Sequence, residues 1–146
     1  MIDKASLDDI PLLCELLGML FDMESDFLPD RTKQAKGLEQ ILCNPEVGSI
    51  LVFREDDSIS GMVNLLYTVS TACGGRVAML EDLIVKPDRR GMKIGSALLD
   101  AAIDHARISD CLRITLLTDS DNLGAIRLYQ RFGFSRSEMI PLRLFP

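Results

Sequence analysis

Residues 85–103 read VKPDRRGMKIGSALLDAAI, and this stretch decides how the chain is organised. An apolar strand ends at Val85, Pro87 turns the chain, and the sequence enters a helix at Ile94. Between them gather Arg89, Arg90 and Lys93, with Gly91 and Gly95 four residues apart. A helix start presents unpaired N–H groups and a partial positive charge, so it attracts anions. Glycines there let a ligand approach the amides. The ligand that suits this composition is a phosphate or pyrophosphate. No Gly-Lys-Ser/Thr closes the loop, and Gly-x-Gly-x-x-Gly is absent, so it is neither a Walker loop nor a dinucleotide fingerprint. Taken alone, it reads equally well as an ordinary turn with solvated basic residues.

The flanks give the loop its setting. VAMLEDLIV, 77–85, has the length and composition of a strand, and LRITLLT, 112–118, is another. The helix between them, 94–108, carries Ile94, Leu98, Ala101, Ala102 and Ala106 on one stripe. Strand, helix, strand makes a βαβ unit and therefore a parallel pair. Upstream lie a short strand in residues 1–5 and a helix capped by Ser6 or Asp8 that runs to about Met23. An acidic loop, 22–30, leads to a second helix, 32–42. Strands at 49–53 and 59–70 flank the REDDS turn, and ACGG turns the chain at 72–75. Downstream come a helix over 123–131 and a strand or hairpin over 134–145. The expected fold is a single α/β domain, 1–146, with a mixed twisted sheet and helices on both faces.

Bulk composition narrows the partners. Hydrophobic residues make up 47% and charged residues 26% of 146, as in a globular domain that buries roughly two-thirds of its unfolded surface. A net charge of −6 argues against a nucleic-acid partner. Cys14, Cys43, Cys73 and Cys111 are scattered, and His105 has no cysteine near it in sequence, so no metal site is expected. Reduced cysteines without a leader point to the cytoplasm. No apolar run approaches the roughly 20 residues that span a bilayer.

Arg90-Gly91-Met92-Lys93-Ile94-Gly95 resembles the pyrophosphate loop of the Gcn5-related N-acetyltransferases (GNAT), whose pattern is Gln/Arg-x-x-Gly-x-Gly/Ala. Val85-x-Pro87 before it and Ser96-x-Leu98-Leu99 after it match as well. Asn122-x-x-Ala125-x-x-Leu128-Tyr129-x-x-x-Gly133-Phe134 resembles the second signature of that family. Lys93 stands where the pattern has its first glycine, but it keeps the backbone N–H that the loop supplies. The resemblance implies a GNAT-like fold, acetyl-CoA as co-substrate, and a diphosphate held at Arg90, Gly91, Met92, Lys93, Gly95 and Ser96. It further implies that the third strand of the core and the strand after the loop helix splay apart. The pantetheine arm enters that gap and pairs with main-chain groups of Leu83 and Val85. Dimerisation is common in the family, so a homodimer is a further expectation.

Acetyl transfer to an amine requires a base, a stabilised oxyanion and a proton for the leaving thiolate. Glu81 interrupts an apolar strand, where carboxylates are depleted. Strict alternation places it on one face with Met79, Leu83 and Val85, and Asp82 on the other. A carboxylate in an apolar cleft holds protons more tightly and can serve as the base. Glu81 is the first choice, Asp82 the second, and a rim carboxylate without a role is the plain alternative. A backbone N–H of the same strand is expected to hold the oxyanion. The resemblance makes Tyr129 the proton donor; otherwise it is a core tyrosine. Asn122 either bonds the pantetheine arm or caps its helix. His105 reads as a solvated helix residue.

The expected reaction is direct attack in a ternary complex, since no nucleophilic cysteine is placed for a covalent intermediate. Asp22, Glu24, Asp26 and Asp30 form a rim that suits a small cationic amine, though a solvated loop reads as well. Protein or peptide N-termini are the next acceptor class. A non-catalytic acetyl-CoA-binding module is the alternative to an enzyme, and retention of Glu81 and Tyr129 weighs against it.

Overall fold

The β-α-β crossing expected around the glycine loop is present in the computed structural model, which describes residues 1–21 and 30–146. Strand β4 (Gly75–Val85) leads through a 3-10 turn, Pro87–Arg89, into α3 (Ile94–Ile108), and the chain returns as β5 (Ile114–Leu116). Ahead of this unit lie β1 (Ile2–Lys4), α1 (Ile10–Phe21), α2 (Arg31–Leu42), β2 (Gly48–Glu55) and β3 (Ser58–Ser70). Helix α4 (Leu123–Arg131) follows it. The strands form one sheet in the order β1-β2-β3-β4-β5, antiparallel except for the parallel β4–β5 pair. Nearly every strand and helix therefore falls where the sequence places it. The expected end of the first helix near Met23, and Asp22, Glu24 and Asp26 of the acidic loop, lie outside the described residues. No helix among the described residues is long and apolar enough to cross a membrane.

Both faces of the sheet are covered because its strands alternate. Ile50 and Val52 turn with Met62 and Ile84 toward Leu13, Leu16 and Leu17 of α1 and Leu38 of α2. Leu51, Val63, Leu65, Ala78 and Leu80 meet Ile94, Leu98, Leu99, Ala102 and Ala106 of α3 on the other side. Each fully buried leucine contributes about 1.5–3 kcal/mol relative to exposure. Leu98 and Leu99 are both 0% exposed, which pins α3 against the sheet. Arg54 ties the first strand down. It bonds both carboxylate oxygens of Asp9 at 3.0 Å and reaches Asp3 at 3.3 Å. Asp9 also accepts from the Ser6 N–H at 2.8 Å, so the cap expected of Ser6 is real but is closed by Asp9 and not Asp8.

Strand β4 departs from strict alternation. Asn64 pairs with Glu81 whereas Met62 pairs with Ile84, so β4 carries one residue more than β3 between those points. The extra residue is accommodated by Asp82, whose φ of 54° is left-handed. Aspartate tolerates that region better than most side chains. The bulge resets the pattern: Ala78 and Leu80 face α3 before it, Leu83 and Val85 after it. The expected common face of Glu81 with Leu83 and Val85 is thus broken by one inserted residue. Asp82 does not turn to the opposite face either, because its carboxylate meets Asn64, the cross-strand partner of Glu81.

Two further expectations change. The strand over 112–118 contracts to Ile114–Leu116, because only Ala78, Met79 and Leu80 offer it a ladder. The strand or hairpin expected over 134–145 does not form, and the chain there runs without regular structure.

Gly61 lets α3 seat. A Cβ at this position would come within 2.8 Å of Leu98 Cδ1 and 2.9 Å of the Ile84 carbonyl oxygen. Gly61→Ala is expected to cost about 1–3 kcal/mol through overpacking, lowering Tm by roughly 2–10 °C in thermal denaturation. An unchanged Tm would show that the first turn of α3 gives way freely.

Candidate active site

Lys93 caps α3 in the left-handed conformation, with φ 63°. That explains why the loop pattern has glycine at this place: only glycine adopts such an angle without a steric penalty. The first backward bond of the helix runs from the Ala97 N–H to the Lys93 carbonyl at 3.0 Å. The N–H groups of Lys93, Ile94, Gly95 and Ser96 are therefore the four that the helix leaves without an intrahelical acceptor. Nothing lies within 4 Å of a Cβ built on Gly91, and one on Gly95 meets only Val85 Cγ2, at 3.7 Å. The amides line an open cavity of about 330 Å³ whose walls include Val85, Arg90, Lys93, Ser96, Leu128 and Arg131. This cradle fits a diphosphate.

The cations are sorted differently from the sequence expectation. Arg89 is engaged by Glu55, with Nε at 3.1 Å from Oε2. Arg90 Nε donates to the Val85 carbonyl at 3.2 Å. Lys93 pairs with no carboxylate among the described residues, and Arg131 joins it from α4. Sequence reasoning missed Arg131 and Leu128; their signal was the i, i+3 spacing that puts them on one face of α4. Met92 is 56% exposed beside the loop.

Above this cradle the sheet opens. The β4–β5 ladder ends at Leu80 and Leu116, so Glu81 to Val85 have no strand partner on that side. The main chain of Leu83 and Val85 lies beyond the end of this ladder. Two carboxylates sit at the start of the opening. Glu81 is exposed, and its side chain makes no hydrogen bond or ion pair among the described residues. Asp82 is half-buried and accepts from Asn64 Nδ2 at 2.6 Å. Asn64 is 2% exposed, and its Oδ1 is buried without a hydrogen-bond partner. The orientation of the amide follows from chemistry, since a carboxylate accepts and only the NH₂ end can donate to it. Asn64 was also missed, although an amide within an otherwise apolar stretch of β3 was a visible signal.

Tyr129 is half-buried on α4, edge-on to Phe134 at a ring separation of 5.9 Å. Burial pushes its phenol pKa above the usual value of 10.0, so it keeps its proton at neutral pH. Asn122 caps α4, its Oδ1 accepting from the Ala125 N–H at 3.2 Å. Asp30 caps α2 by accepting from the Lys33 N–H at 3.1 Å. His105 is not solvated: it is half-buried and 2.9 Å from Ser49 Oγ, against β2. Burial chiefly, then the nearby Lys4, lowers its pKa, so it is neutral at pH 7. Burial raises the thiol pKa of both Cys14 and Cys111, which disfavours their thiolates. No group of three or more potential metal ligands occurs among the described residues.

The sequence profile of the acetyltransferase (GNAT) family matches residues 15–134, and the chain belongs to that family. An aminoalkylphosphonate N-acetyltransferase of Salmonella typhimurium is 31% identical over 126 residues, 86% of this chain and 76% of that protein. An N-acetyltransferase of Methanocaldococcus jannaschii is 38% identical over 64 residues, 44% of this chain but only 28% of the relative's length. The fold is shared with a predicted acetyltransferase from Clostridium acetobutylicum, solved with acetyl-CoA. That likeness has a TM-score of 0.81 at 19% identity and covers 98% of this chain and 95% of the other.

Two outcomes test this geometry. Lys93→Ala should weaken coenzyme A binding a few-fold in titration calorimetry, and more at low salt because an exposed charge is screened. Gly95→Val should weaken it far more by blocking the amides; the reverse order would place the binding in side-chain charge. For His105, a lowered folded pKa means stability present above pH ~6.5 and lost as pH falls through the folded value. His105→Gln should flatten that acid loss in denaturant melts below pH ~6.

Proposed function

We propose that this protein, a single domain over 1–146, transfers the acetyl group of acetyl-CoA to a primary amine by direct attack in a ternary complex. One observation carries the reading. The β4–β5 ladder stops at Leu80–Leu116, on the strand that leads straight into four unpaired amides and the open cavity at α3. An extended arm ending in a diphosphate has that shape and charge, and acetyl-CoA supplies an activated thioester with such an arm. In this reading Leu83 and Val85 bond the pantetheine through main chain, and Arg90, Gly91, Met92, Lys93, Gly95 and Ser96 receive the diphosphate. The Asn122 carbonyl is committed to its cap, which leaves its NH₂ group for the arm.

Glu81 takes the proton that the amine loses. Asp82 spends an oxygen on Asn64 and holds the bulge, whereas Glu81 is exposed at the opening and meets an acceptor directly or through water. Tyr129 gives its proton to the departing thiolate; a phenol kept neutral by burial is suited to that transfer. A backbone N–H at the bulge serves the oxyanion. The acceptor is a small cationic amine, attracted by a chain of net charge −6. The Salmonella relative, by its name, also acts on a small amine.

Titration with acetyl-CoA paired with thiol release over an amine panel at two salt concentrations tests the whole proposal. Binding without release for any amine would leave a non-catalytic module, and a preference for peptide N-termini would change the acceptor class. Glu81→Gln should lower turnover by ~100-fold or more with acetyl-CoA affinity held within a few-fold. If Asp82→Asn alone has that effect, the base is Asp82. Tyr129→Phe should slow turnover and keep Tm; lost stability with normal specific activity would make it a packing residue.

A further inference from the structure

The turn that leads into the cradle is tied to a hairpin far from it in sequence. Arg89, the last residue of the 3-10 turn, meets Glu55 at the end of β2 with two prongs of its guanidinium. Nε lies 3.1 Å from Oε2, and Nη2 donates to Oε1. Ser60 Oγ donates to the same carboxylate. A charge-assisted, two-pronged pair fixes direction as well as distance. A bulge puts Ser60 in place for this. Phe53 pairs with Gly61 and Arg54 with Ile59, so Ser60 is the extra residue of β3, and it is 3% exposed. Its carbonyl accepts from the Lys86 N–H at 2.8 Å. The hairpin therefore holds the turn at both ends, at Lys86 through main chain and at Arg89 through its side chain.

What this tie restrains is the glycine loop. Four residues, 90–93, separate Arg89 from the start of α3, and Gly91 and Lys93 among them are left-handed, with φ of 79° and 63°. A lysine keeps such an angle only where its surroundings fix it. Leu98 and Leu99, fully buried, fix α3 on one side of the loop. The bond to Glu55 fixes the turn on the other. The sign of the charge makes this arrangement informative. Arg89 borders the coenzyme cavity and also a second cavity of about 340 Å³, with Glu55, Ser60 and Lys86 on its wall. A carboxylate one side chain away from a diphosphate site repels the ligand and occupies a cation that would attract it. Electrostatics alone gives no reason for Glu55 to stand there. Geometry does, because a loop already in its binding conformation has no ordering cost to meet when the ligand arrives.

We propose that Glu55 is a positioning residue for coenzyme A: acting through Arg89, it holds the loop over 90–93 in the form that presents the α3 amides to the diphosphate. A carboxylate on the β2–β3 hairpin thereby sets the affinity of a site that it does not touch. The inference rests on the coenzyme A reading of the cavity. With the tie cut, the loop is in its competent form for only a fraction of the time, and affinity falls by that fraction. The rival arrangement has the opposite sign. If Arg89 were itself a ligand of the diphosphate, Glu55 would compete with the anion for it, and removing Glu55 would tighten binding.

Calorimetric titration with coenzyme A, joined to amide hydrogen exchange in the free protein, tests the proposal. Glu55→Ala should weaken coenzyme A roughly 3- to 10-fold, the loss that follows if the competent loop falls to between a third and a tenth of the molecules. Exchange should quicken at Arg89 and Ala97, whose N–H groups bond the Lys86 and Lys93 carbonyls, and stay unchanged at Leu99 and Ala102 within α3. In the acetyl-transfer assay, KM for acetyl-CoA should rise by the same factor with kcat held, a split that a general loss of stability does not produce. Arg89→Ala should reproduce the loss, and the double variant should lose no more than either single one. Unchanged affinity in Glu55→Ala would overturn the proposal. So would tighter binding, or a far larger loss in Arg89→Ala, since either makes Arg89 a direct ligand. Wild-type protein that binds no coenzyme A would overturn the coenzyme reading and this inference with it, whereas wild-type binding with unaltered variants overturns this inference alone. If Glu55→Ala fails to fold, Glu55→Gln takes its place, with the same signs expected.

Discussion

Strand β4 is held along one side and released along part of the other. It pairs with β3 from Gly75 to Val85, interrupted only by the bulge at Asp82 and Leu83, but with β5 only from Ala78 to Leu80. A parallel crossing requires the helix between the two strands to pack back on the sheet, and Leu98, Leu99 and Ala102 meet that requirement with no exposed surface. Because α3 is pinned, its first turn stands at the end of β4, and the unpaired amides open beside the released stretch of the strand. The cradle and the gap above it are consequences of one constraint.

The bulge at Asp82 adjusts that strand locally. A single left-handed residue changes which face each later side chain takes. It sends Leu83 and Val85 to the α3 core and keeps Glu81 beside Asn64. The 2.6 Å bond between buried Asn64 and half-buried Asp82 holds the irregularity in place. An uncommon backbone angle persists only where its surroundings fix it, and such angles gather at functional positions. Lys93, at the mouth of the cavity, is another, and Asp56 and Asp110 adopt the same region elsewhere in the chain.

Charge around the loop is divided between structure and ligand. Arg89 joins the β2–β3 turn through Glu55, which fixes the 3-10 turn against the hairpin. Lys93 and Arg131 face the cavity, so the proposed anion site would combine exposed, screened charge with fixed amides. Exposed charge steers and is sensitive to salt, whereas oriented amides bind over short range.

The sequence by itself determined the element order, the two faces of the sheet and the place of the glycine loop at the start of α3. Those features rest on short-range signals: period-two strands, a period-3.6 stripe from Ile94 to Ala106, and glycines at a helix start. Tertiary structure alone decided the rest. The bulge moved Leu83 and Val85 because one extra residue reverses every later side chain, and residue type does not reveal an insertion in the ladder. Arg131 reached the cavity, and Arg89 on its wall was tied to Glu55, because the partners are 30 or more residues away in sequence. The tail over 134–145 has the alternation of a strand, yet a strand exists only where another backbone meets it. Among the described residues, none pairs with it as a strand.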